Sequence, residues 1–120
     1  MEIKISFKNK TIKIPVKKVS FLGKFLGLMF KSRNTENLLF EFHKKTQMQI
    51  HSLFVFFPFL AIWLSEKNKV LETRIIKPFN LNVNSKKPFN KLIEIPLNNK
   101  NRKITNFFVD KKDLNIPLVC

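Results

Sequence analysis

Apolar and polar side chains alternate at the start of the chain, where Ile3, Ile5 and Phe7 interleave with Glu2, Lys4 and Ser6. A period of two places such a set on one face of a strand. After a polar break at Asn9, Thr11 to Val16 reads as a second strand, and the two together predict a hairpin. Pro15 suits a strand end or edge, because proline donates nothing to a ladder. The period then changes. Phe21, Leu22, Phe25, Leu26, Leu28 and Met29 recur at three- and four-residue spacing behind Ser20, which predicts a short capped helix near residues 20–28. Gly23 and Gly27, the two glycines of the chain, fall inside it and imply close packing or an early helix end.

Lys31 to Asn37 is a polar loop, and Leu38 to Phe42 the next strand, with Lys44 and Lys45 turning the chain onward. The most apolar stretch runs from Ile50 to Leu64, and no charge interrupts Thr46 to Ser65. A membrane-spanning helix needs about 20 apolar residues, more than this run supplies. The run is also broken by Pro58 and rich in the Phe, Val, Ile and Trp that favour strands. It therefore predicts two core strands, Gln47 to Phe56 and Phe59 to Ser65. Glu66 to Asn68 makes a turn, and Val70 to Ile76 returns as a partner strand. Asn80 to Lys87 reads as a surface loop, Leu92 to Ile95 as a short strand stopped by Pro96, and Asn98 to Asn101 as a turn. Ile104 to Val109 predicts a last strand. About six to nine short strands and one small helix give a mainly β class, a compact antiparallel barrel or sandwich in a single domain.

Composition adds a field to this picture. The formal net charge is +15, which attracts nucleic acid, anionic lipid or acidic proteins in a salt-dependent way. The lysines are spread in pairs, such as Lys17-Lys18, Lys86-Lys87 and Lys111-Lys112, without the long block of like charge that marks a binding tail. An A/T-rich genome would produce the same excess of Lys, Asn, Ile and Phe. One cysteine, Cys120, makes no internal disulfide and implies no oxidising compartment. The N-terminal residues lack the apolar core of a signal peptide, so a cytoplasmic location is the expectation.

Candidate chemistry is sparse. No two carboxylates lie close in sequence within an apolar setting, the arrangement that would separate their pKa values for acid and base roles. Glu94 alternates with Ile93 and Ile95 and so faces opposite to them, which predicts an outward-facing carboxylate near lysines. His43 and His51 are the only histidines, and with one cysteine they supply no metal-ligand spacing. No phosphate loop, nucleophile elbow or dinucleotide fingerprint occurs. No metal or cofactor is expected.

The order of motifs has a family likeness. Gly27-Leu28-Met29-Phe30-Lys31, then Leu38-Leu39-Phe40-Glu41-Phe42, then Ile50-His51 leading to Phe57-Pro58 and Trp63-Leu64 resemble the domain of unknown function 192 family in its archaeal-like version. Lys77-Pro78-Phe79, Leu92-Ile93-Glu94-Ile95-Pro96 and Val109-Asp110 stand where that family has its later motifs, so the likeness spans about residues 20–112. The chain departs from the pattern at Val55, Leu60 and Val109, where the family has Met, Asp and Gly, so it resembles a divergent member. The resemblance implies a compact, largely antiparallel β fold and no established activity. It leaves Met29, His51 and Glu94 as the retained candidates for a pocket. The expectation is a non-enzymatic domain that binds a ligand or partner. A polyanion-binding module, with nucleic acid as the partner, is the first alternative, and an enzyme using His51 and Glu94 the second.

Overall fold

The computed structural model describes residues 1–19, 34–47, 56–78 and 83–109, apart from the side chain of His43. Within them lie β1 (Glu2–Phe7), β2 (Lys10–Pro15), β3 (Lys17–Lys18), β4 (Leu38–Thr46), β5 (Phe59–Leu64), β6 (Val70–Ile76) and β7 (Phe89–Pro96). A 3-10 turn at Asn99–Asn101 leads into a short helix, α1 (Arg102–Phe108). The predicted helix near residues 20–28 and most of the predicted strand from Gln47 to Phe56 lie outside the described residues.

β1 and β2 form the expected hairpin, with Phe7 paired to Lys10. Its two-residue turn puts both Lys8 (φ 49°) and Asn9 (φ 65°) in the left-handed region. That geometry matches the twist of the flanking strands, and asparagine tolerates it better than lysine does. The other sheet has five strands in the order β3-β4-β7-β5-β6. All its pairings are antiparallel except β3 with β4. The sheets do not close into a barrel; the hairpin and α1 pack on one face of the larger sheet, as in a sandwich.

Paired residues on neighbouring strands share a face. One face carries Leu39, Ile93, Ile95, Leu60, Ile62 and Leu64, and these pack against Ile3, Ile5, Ile14 and Val16 of the hairpin and Ile104 and Phe108 of α1. The opposite face carries Leu38 and Phe40, Leu92, then Phe59, Ala61 and Trp63, which join Phe57, Ile76, Val83 and Phe89 in a second core. Every side chain of β5 is buried. A strand covered on both faces shows continuous hydrophobicity rather than alternation. The apolar run through residues 59–64 is therefore core.

Three expectations are corrected. Residues 102–108 are helical, not a strand: Ile104 and Phe108, four apart, turn to the same core, and Asn98 caps the preceding turn by accepting from the Asn101 N–H. Ile, Thr and Phe favour strands in isolation, and packing overrides that preference here. Lys44 and Lys45 do not turn the chain, because β4 continues through them to Thr46 across a register shift between Glu41 and Thr46. In the predicted surface loop, Val83 and Ser85 are buried.

Candidate functional site

Glu94 sits on β7, the middle strand of its sheet, paired with Leu38 on one side and Ala61 on the other. It does face opposite to Ile93 and Ile95, but that second face is also covered, and only 6% of Glu94 is exposed. The expectation of an outward carboxylate is thus overturned. No hydrogen bond to its carboxyl is made by the described residues. Desolvation by burial pushes its pKa from the ordinary 4.5 up to about 8, so the group stays largely protonated at neutral pH. Met29 and His51, the other two residues expected to share a pocket with it, lie outside the described residues, as does Cys120.

At the edge of the same face, Arg74 on β6 donates to the Glu72 carboxylate and to the Asn84 carbonyl (3.1 Å), and its guanidinium lies 5.4 Å from the Trp63 ring. Glu72 also accepts from the Lys86 N–H at 2.8 Å. These contacts fasten the chain around residues 84–86 to β6. Their carboxylate and guanidinium are occupied with each other.

A different group of side chains surrounds a cavity. Asn37 precedes β4, and its Nδ2 donates to the Pro15 carbonyl (2.9 Å) and to Asn101 Oδ1 (3.2 Å). Asn101 in turn donates from Nδ2 to the Pro96 carbonyl (2.8 Å), and its own carbonyl accepts from the Thr105 hydroxyl (3.0 Å). Asn98 Oδ1 accepts from the Asn101 N–H at 3.0 Å. The network joins the end of β2, the start of β4, the end of β7 and α1. Both neighbours of Asn37 Nδ2 are acceptors, so the amide orientation is determined. One consequence is that Asn37 Oδ1 is buried with no donor among the described residues. A buried polar atom without a partner costs about 1–3 kcal/mol.

Above this network lies a groove of about 650 Å³ between the hairpin and the helical turns. Ile12, Val16 and Ile104 give it apolar walls, and Asn37 and Asn101 line it between them. Lys13 of β2 contributes a cation from one bank, and Lys100 and Lys103 from the other; Glu36 is the single acid in the lining. Lys100 Nζ donates to the Asn34 carbonyl at 3.3 Å. Lys13 and Lys103 are exposed and meet no carboxylate within ion-pair distance among the described residues. The arrangement can hold a negative charge beside an apolar body. None of these residues stood out in the sequence, because asparagine and lysine are abundant throughout and Asn37 and Asn101 are 64 positions apart. The one local signal was Asn98, three residues ahead of Asn101 where a helix cap would sit.

No family model matches the chain, and no curated protein matches it. Two solved structures share its fold. One is a protein of unknown function from Novosphingobium aromaticivorans, with a TM-score of 0.69 and 13% identity over 79% of this chain and 71% of that one. The other is a candidate transcription regulator from Sinorhizobium meliloti, with a TM-score of 0.67 and 15% identity over 78% of this chain and 76% of that one. Similarity at these identities is one of architecture. Among the described residues no helix is long and apolar enough to cross a membrane.

Proposed function

We propose that the chain is a non-enzymatic binding domain whose ligand is anionic, and a divergent member of the domain of unknown function 192 family. The family reading draws support from the way the motif strands associate. Leu38–Phe40 pairs with Leu92–Glu94, and Trp63-Leu64 pairs with Lys91-Leu92, so motifs far apart in sequence lie side by side in one sheet.

The observation that carries the anionic ligand is the disposition of charge. Glu94 is buried and leans to the neutral form, and Glu72 is bound to Arg74. Glu41 lies 3.5 Å from Lys18. Lys13 and Lys103 meet no carboxylate within ion-pair distance among the described residues. Three lysines against Glu36 leave the groove lining net positive, which favours a negatively charged ligand there. The second reading, a polyanion-binding surface, draws on the exposed Lys17, Lys18, Lys44 and Lys45. The likeness to a candidate transcription regulator is one of fold and does not decide between the two.

Thermal unfolding at low salt, with adenosine monophosphate, citrate, inorganic phosphate and a single-stranded oligonucleotide, tests the proposal. A small anion at ten times its Kd contributes about 1.4 kcal/mol, a rise of several degrees in Tm for a domain this size. No stabilisation by any anion would contradict the reading. Stabilisation by the oligonucleotide alone, collapsing by about 150 mM salt, would favour the polyanion surface instead.

A further inference from the structure

An anionic ligand needs a place on the molecule, and we propose that it is the groove between the β1–β2 hairpin and α1, and that its occupant is a small amphipathic anion of nucleotide size. The inference rests on the anion-binding reading above and adds the site and the ligand class. Three independent features converge on it. The volume of about 650 Å³ falls within the range of small-molecule sites. The cations come from both banks, Lys13 from β2 and Lys100 and Lys103 from the helical turns, so a charged group between them is approached from two sides. Ile12, Val16 and Ile104 line it with apolar side chains.

Each feature constrains the occupant. The lysines call for a phosphate or carboxylate, since an ammonium is a compact charge suited to either. Ile12, Val16 and Ile104 call for an apolar or ring-shaped body, because a bare inorganic anion would leave their surface unused. A nucleoside monophosphate has the charge, the ring-shaped body and the size, and is a suitable probe. An extended polyanion does not need a concave apolar wall.

Calorimetric titration of the full chain with adenosine monophosphate at low salt provides the test, with two charge-reversal variants of equal net charge. Lys13→Glu with Lys103→Glu alters the groove, whereas Lys67→Glu with Lys86→Glu alters positions outside it. All four side chains are exposed, so folding should survive, and an unchanged Tm checks this. The groove variant is expected to lose about tenfold or more in affinity and the remote variant less than about threefold. Inorganic phosphate, which has the charge without the body, should bind the native chain about tenfold more weakly than adenosine monophosphate. Equal losses in the two variants would place the site outside the groove while leaving the anion reading intact. Equal affinity for phosphate and adenosine monophosphate would overturn the amphipathic class. No binding of any anion by the native chain would remove both readings together.

Discussion

Two polar regions of this molecule, around Glu94 and around Asn37, are built in opposite ways. Around Glu94 a lone carboxyl is set among Leu38, Ala61, Leu92 and other apolar side chains of the sheet, with no described hydrogen-bond partner and no described cavity beside it. Around Asn37 and Asn101 nearly every polar atom is paired, the network ties four segments of chain together, and it borders an open groove with cations on its rim. The first region lowers stability unless it is protonated. The second is stabilised by its own bonds, and Asn37 and Asn101 line a space that a ligand can enter. A perturbed acid is thus no guide to a binding site by itself; access and a set of converging groups matter more.

The largest expected effect separates the two regions by pH. Glu94 keeps its proton in the folded chain up to about pH 8, whereas the unfolded carboxyl loses it near 4.5. Between those values the folded state binds more protons, so this group's contribution makes stability fall as pH rises, then level off above about 8. The total is on the order of 5 kcal/mol. Urea midpoints of the native chain and of Glu94→Gln across this window should diverge, with the variant gaining relative stability toward pH 8. Parallel curves would show that Glu94 titrates normally.

The asparagine network comes next. Asn101→Ala removes both the donor to Pro96 and the acceptor for Asn37, and should cost about 2–3 kcal/mol in chemical unfolding. Asn99→Ala, at an exposed position in the same turn, should stay within about 0.5 kcal/mol. Similar losses in both would mean that the network carries no special weight. At the edge of the Glu94 face, Arg74→Ala should cost about 1 kcal/mol and shift the emission of Trp63, since it removes a cation from that ring. The smallest effect belongs to the groove rim: Lys13→Ala and Lys103→Ala should each change Tm by no more than about 0.5 kcal/mol allows, because both side chains are exposed.

Much of the architecture was legible in the chain. The alternation of Ile3 and Ile5 predicted β1 and its buried face, and the apolar run at residues 59–64 predicted a core strand. Residues 102–108 were not legible as a helix, because Ile104, Thr105 and Phe108 belong to residue types that favour strands and one four-residue spacing is too short a signal to outweigh this. For Glu94, alternation specified which way the side chain points but not whether that face is covered, which depends on partners elsewhere in the sequence. The groove was invisible for the same reason. Its lysines and asparagines are ordinary residues until the end of β2, the start of β4 and α1 are brought together.

The proposed place of the ligand is the groove, not the buried acid. Amide chemical shifts recorded while adenosine monophosphate is added to the full chain test it most directly. Saturable changes are expected, concentrated at Ile12 to Val16, at Asn37 and from Lys100 to Ile104. Changes centred instead on Trp63, Leu92 and Glu94 would contradict it.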